Sequence, residues 1–139
     1  MKPDFAIFHE DDLILIHYQE TRKYLHTLWR TTYDTTEEAY KATMRHYVRA
    51  LKELSPRCVL IDARPSTYTI PPEVQEWISE NVYPVAPQAG VEKLAFVVTT
   101  DEIAQLSIEQ AVEDGQQVAN FLDQRFFDDP EKAENWLLE

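Results

Sequence analysis

The stretch "VLIDARPSTYTIPPEVQEWI", residues 59–78, holds the densest set of groups in this chain that could do chemistry. Asp62 ends an apolar run and Arg64 follows it. Ser66, Thr67, Tyr68 and Thr69 then supply hydroxyls before Pro71 and Pro72. A carboxylate, a guanidinium and several hydroxyls on one loop suit reversible, hydrogen-bonded recognition, and Arg64 can either pair with Asp62 or face a ligand carboxylate. Thr100 and Asp101 follow a second apolar run, Leu94–Val98. The binding residues expected from the sequence are therefore Asp62, Arg64, Ser66, Tyr68, Thr100 and Asp101. The plainer alternative is that Asp62 only anchors its loop by accepting backbone N–H bonds, as Asp does in turns. Tyr68 and Ile70, with Tyr83 and Val85 further on, either fold back on the core or form a contact patch.

No catalytic residue is assigned. There is no G-x-S-x-G elbow. Cys58 lies in an apolar run, where it packs as a small hydrophobe rather than as an exposed nucleophile beside a base. The carboxylates at 10–12, 37–38, 101–102 and 128–129 fall at turns or helix starts, where they solvate a turn or complement the helix dipole. A tight turn at Thr21-Arg22 would set His17 opposite His26 across a hairpin. Two imidazoles can begin a metal site, but no further ligand completes it, so a cross-strand polar pair is expected, with no metal and no cofactor.

Composition narrows the partners. The 139 residues suit one domain, residues 1–139. With 25 acidic against 13 basic residues the net charge is −12, which repels phosphate backbones and anionic lipid heads, so nucleic acid is not an expected partner. A single cysteine forbids an internal disulfide and fits a reducing compartment. No secretory signal is legible in "MKPDFAIFHEDD", and no apolar run approaches the ~20 residues of a membrane helix, so the expected setting is the cytoplasm, without integral membrane contact. Only two glycines occur, which excludes a Gly-rich phosphate loop.

These residues have to be positioned by secondary structure. Residues 4–10, 13–19 and 24–31 read as three strands joined by short polar turns, an antiparallel meander. The consecutive Leu13, Ile14, Leu15 and Ile16 predict a second strand covered from both sides, or nearly so. "DTTEEAYKATMRHYVRALKEL" predicts a helix capped by Asp34 or Thr35 with Glu37 or Glu38 in a capping box, buried along Tyr40, Met44, Tyr47, Val48 and Leu51, and stopped by Ser55-Pro56. "RCVLIDA" and "EKLAFVVTT" predict central strands, and "PPEVQEWISENVYP" a helix entered through proline. "PVAPQAG" reads as a loop, "DEIAQLSIEQAVEDG" as a helix stopped by Gly115, and residues 116–123 as ambiguous. "QRFF" predicts a last strand, and "DDPEKAENWLLE" a helix capped by Asp129 with Ala133, Trp136 and Leu137 facing inward. The alternation implies parallel pairing with right-handed crossovers, hence one α/β domain with a mixed sheet of about six strands.

This order resembles the SpoIIAA-like (STAS-like) proteins, distantly related to the SEC14 fold. The resemblance is carried by "YLHTLW", "VLIDAR" and "RFFDDPEKAENWLL", and it spans nearly the whole chain. It implies a non-enzymatic regulatory or binding module working through loops at the strand C-termini. In sporulation-type members an Asp-Ser-Ser-Gly-Leu pattern at a helix start carries a phosphorylatable serine. Here Pro71 and Pro72 occupy that place, which argues against the phosphocycle. The distant SEC14 likeness implies the alternative, a carrier or sensor of a small apolar or lipid-like ligand. The expected partner is a protein or a small apolar ligand, and homodimer formation is left open. A side-chain-filled core would favour the protein-binding module, and an apolar cavity beneath Ile70 and Tyr83 the carrier. A small hydrolase is a third class with no supporting constellation.

Overall fold

The computed structural model describes residues 4–116 and 122–139. Six strands form one sheet whose spatial order is its chain order: β1 (Ala6–Glu10), β2 (Ile14–Gln19), β3 (Tyr24–Trp29), β4 (Cys58–Asp62), β5 (Lys93–Val97) and β6 (Asp123–Phe127). The first three are antiparallel, with His17 paired to His26 as the hairpin reading predicts. β3 to β6 are parallel, and Val59 lies opposite Leu94. The expected mixed α/β architecture is thus the one observed, with β4 in the interior.

The crossovers between parallel strands are α1 (Glu37–Leu54), then α2 (Pro72–Asn81) with α3 (Val85–Ala89), then α4 (Glu102–Gln116). Right-handed connections that all step the same way along a sheet must lie on the same face. Strand residues alternate faces, so Ile14, Ile16, Leu25, Trp29, Val59, Leu94 and Phe96 meet these helices in the larger core. On the opposite face α5 (Pro130–Leu137) packs Ala133, Trp136 and Leu137 against Cys58, Leu60, Ala95 and Val97. The Trp136 ring lies against Phe127 and under the Lys93 and Arg125 cations. Asp129 caps α5, its side chain accepting from the Glu131 N–H, as expected.

Four local readings are corrected. Thr36, not Asp34 or Thr35, caps α1 by accepting from the Ala39 N–H, and Thr35 accepts instead from the Thr32 N–H in the preceding turn. No capping box forms, because the third helical position is Ala39. "PVAPQAG" contains the short helix α3, ended by Gly90 at φ +99°. Gly115 lies within α4, where a Cβ would run into the Tyr83 ring, so this glycine permits close packing rather than stopping the helix. The ambiguous segment 116–123 falls largely outside the described residues; of it, Gln116 ends α4 and Leu122 and Asp123 lead into β6.

Trp136→Ala should lower stability by about 3–5 kcal/mol, as for a buried aromatic, measured from the urea midpoint. Gly115→Ala should destabilise by roughly 1–3 kcal/mol through overpacking, although alanine favours a helix by about 1 kcal/mol. Adding Tyr83→Leu should recover part of that loss. A neutral or stabilising Gly115→Ala would show that the Tyr83 contact is not tight.

Candidate functional site

The loop that the sequence singles out, residues 63–71, does not stand open at the sheet edge. It is stitched down on three sides. The Thr31 and Ser66 hydroxyls are 3.0 Å apart and the Thr67 N–H donates to the Thr31 carbonyl, which ties it to the loop after β3. The Thr99 hydroxyl donates to the Ser66 carbonyl at 2.7 Å, which ties it to the loop after β5. The Ile70 N–H donates to Ser107 Oγ on α4, and Gln75 Nε2 to the Ile70 carbonyl. All but the Thr31–Ser66 contact satisfy a backbone group that the loop's own conformation leaves unpaired.

Folding down carries the loop's apolar residues into the larger core. Tyr68 stacks on Tyr40 with ring centroids 4.2 Å apart, and Ile70, Tyr83 and Val85 are buried. Of the two alternatives for these residues, the structure shows core packing rather than an exposed patch.

Beneath this strap the core is not filled. A cavity of about 80 Å³ lies between the sheet and the crossover helices, bounded by Trp29, Tyr40, Tyr47, Ile70, Tyr83 and Phe96 among others. That is several times the ~10–15 Å³ that admits one water, and about half the ~150 Å³ of an apolar cavity that takes benzene. Its lining is overwhelmingly apolar, with the hydroxyl-bearing residues Thr31, Ser66 and four tyrosines, Tyr40, Tyr47, Tyr68 and Tyr83. The Tyr83 hydroxyl donates to Gln124 Oε1 at 3.1 Å. The Tyr40 and Tyr47 side chains are buried in the same wall. Burial raises the pKa of the Tyr40, Tyr47 and Tyr83 phenols well above the ordinary value, so they remain neutral donors and acceptors.

The six sequence-derived binding residues do not converge. Asp62 faces the α5 side of the sheet, the alternation placing it with Cys58 and Leu60 and opposite to Val59 and Ile61. It is almost fully buried and holds Arg64 in a two-pronged pair, Nε to Oδ1 at 3.0 Å and Nη2 to Oδ2 at 2.7 Å, while accepting the Arg64 N–H. That pair raises the Arg64 pKa and leaves the half-exposed guanidinium fixed at the surface. Ser66 and Tyr68 lie on the other face, in the cavity wall. Asp101 opens α4, its carboxylate accepting from the Ala104 N–H, and Thr100 is exposed beside it. The cavity itself was not legible as a site, because its lining comes from three strands, four helices and their loops spread over residues 29–122. The signals that pointed to it were the aromatics Tyr68 and Tyr83 in segments read as loops.

Pro71 and Pro72 stand at the start of α2 as expected, with Ser66 buried and Thr67 Oγ1 accepting from the Tyr33 N–H. Cys58 is buried beneath α5, and burial pushes its thiol up to about 11 despite nearby Arg57 and Lys93.

No family model and no curated protein matches the chain. Among solved structures it is similar to an uncharacterised protein from Shewanella loihica PV-4, described as belonging to the DUF3478 family with a SpoIIAA-like fold. The match covers 96% of this chain and 91% of that one at 17% identity, with a TM-score of 0.49. That description names the fold to which the sequence resemblance pointed. Among the described residues no helix is long and apolar enough to cross a membrane.

The Cys58 environment gives a pH expectation. A thiol whose folded value is raised from 9.0 to about 11 contributes stability that is complete below 9.0 and is lost as pH climbs through about 11. Native protein at pH 8 should therefore resist a thiol-labelling disulfide reagent and react fully in urea. Cys58→Ala should flatten part of the alkaline fall in unfolding free energy. Prompt labelling of native protein would contradict the burial.

Proposed function

We propose that this chain is a non-enzymatic binding domain for a small, largely apolar molecule that enters the cavity beneath the 63–71 strap and offers one polar atom to the Tyr40 and Tyr47 hydroxyls. The observation that carries this reading is an apolar cavity whose wall includes the buried Tyr40 and Tyr47. A hydrogen bond from a ligand to a phenol in that wall adds about 0.5–1.5 kcal/mol to its apolar contacts. Ligand sites have this composition, mostly apolar walls with a few placed polar groups. As it stands the cavity takes a group of a few heavy atoms. A ring enters only if the strap yields.

A regulatory role with a protein partner is the second reading. It rests on the surface above the strap, where Tyr33 is 85% exposed and Arg64 and Thr100 also face solvent. Tyrosine and arginine are the residue types that most often anchor such contacts. On this reading the partner senses whether the strap is closed over a ligand.

Phenol and benzene are suitable probes because they differ by one hydroxyl. Phenol should raise the melting temperature more than benzene does at equal concentration, the shift growing with the logarithm of concentration once the site is filled. The advantage should vanish in the Tyr40→Phe, Tyr47→Phe double variant. Ala111→Leu, which fills the cavity from α4, should abolish both shifts at a cost of roughly 1–3 kcal/mol in stability. If neither compound shifts the melting temperature, and native mass spectrometry of protein purified from its source finds no retained small molecule, the proposal fails.

A further inference from the structure

The meander's outer edge holds a second constellation, remote from the cavity. Between Ile7 and His9 the pairing of β1 with β2 slips: Ile7 lies opposite His17 and His9 opposite Ile16, so β1 carries one extra residue, Phe8. Such a bulge turns the following side chain to the other face of the sheet. Without it His9 would share a face with Ile7. With it, His9 joins the face of Ile16, over which α1 runs, and its ring stacks on His46 of α1 with centroids 3.7 Å apart and planes inclined by 15°. Asp11, in the turn after β1, approaches the same point, its Oδ2 lying 2.7 Å from His9 Nε2. One ring nitrogen of each histidine and one Asp11 oxygen all lie within 4.8 Å of one another.

We propose that His9, Asp11 and His46 form a binding site for one borderline divalent cation such as zinc, nickel or cobalt, which clips the edge strand β1 to helix α1. Two imidazoles and a carboxylate select this class over calcium or magnesium, which prefer all-oxygen shells. The geometry is close to what an ion needs. Metal–nitrogen bonds of about 2.0–2.1 Å in a tetrahedral shell set the donors roughly 3.3 Å apart. The rings are stacked with centroids 3.7 Å apart and their lone pairs lie in near-parallel planes, so binding requires the rings to rotate out of the stack and turn their nitrogens to one ion. The third ligand is already held in place, because Asp11 Oδ1 accepts the Leu13 and Ile14 N–H groups and leaves Oδ2 directed at His9. Such outer bonds orient metal ligands.

Arg30 Nη1 reaches the Asp11 carbonyl at 3.3 Å, and the group that opposes an ion directly is Arg49, whose Nη2 lies 3.3 Å from His46 Nδ1. It has alternative contacts in the Phe8 ring and Glu53 and can swing away. The remaining coordination positions face solvent, His9 and His46 being half-buried and Asp11 exposed.

The test is calorimetric titration of the full chain, stripped with a chelator, with zinc chloride, and in parallel the visible spectrum with cobalt(II). One ion per chain is expected, with a melting temperature that rises with zinc. His46→Gln and Asp11→Asn should each weaken binding by more than about tenfold, the scale seen even for loss of an outer-shell partner. The asparagine keeps the acceptor for Leu13 and Ile14, so the turn is preserved. His17→Gln should bind as the parent does, and Arg49→Met at least as tightly. A readout that needs no variant is the imidazole nitrogen spectrum of the native protein, in which zinc should shift His9 and His46 and leave His17 and His26 in place. The proposal is overturned by absence of binding at saturating zinc, by unchanged affinity in His46→Gln, or by shifts confined to His17 and His26.

Discussion

The handedness of strand crossovers is the constraint on which the rest of this structure depends. Because β3, β4, β5 and β6 are laid down in one direction, every right-handed crossover falls on the same face. The sheet therefore carries four helices on one side and one on the other. In doubly wound sheets a crevice opens where the strand order reverses, and ligands bind there. Here the order never reverses, so the loops at the strand C-termini have no crevice to flank and close down on the helical layer instead. The void that remains lies under them, inside that layer. The same constraint leaves the far face to α5, which makes Trp136 and its cation neighbours essential to covering β4 and β5.

The charged groups at the end of β4 illustrate how position decides role. Asp62 and Ser66 are only a few residues apart, yet the chain passes over the end of the sheet between them. Asp62 faces α5 and is consumed by Arg64, whereas Ser66 faces the crossover helices and helps wall the cavity. Linear proximity suggested one cooperative recognition loop. The two-residue repeat of the strand separated its members.

Most of the architecture was legible because it depends on local patterns that the long-range structure does not override. The apolar runs at 59–62 and 94–98, the proline-led helices and the Asp129 cap are signals of that kind, and so was the His17–His26 pairing, which a short hairpin turn determines. The misreadings have a common physical source. Thr36 displaced its neighbours as a cap because Thr35 was engaged by the turn before it. Gly115 reads as a helix stop until Tyr83, more than thirty residues away in the chain, is seen to press on its α-carbon. His9 and His46 lie on different elements, and only a bulge, which leaves no composition signal at Phe8, turns one toward the other. The cavity is a property of packing, and its linear signal was confined to Tyr68, Ile70 and Tyr83.

The bulge at Phe8 has another consequence, for self-association. An edge strand exposes an unpaired row of amide and carbonyl groups on which a foreign strand can grow, and a flat, regular edge is the most hazardous. In β1 the extra residue breaks that row's spacing at its middle, and His9, Glu10, Asp11 and Asp12 follow it at once. The opposite edge, β6, is short, carries the exposed and charged Asp123 and Arg125, and runs directly into Asp128, Asp129 and Pro130. Neither margin offers a second chain a straight template of more than two or three residues without meeting a kink or a charge. Among the described residues the sheet thus ends at six strands, with both margins unfavourable to edge-to-edge pairing.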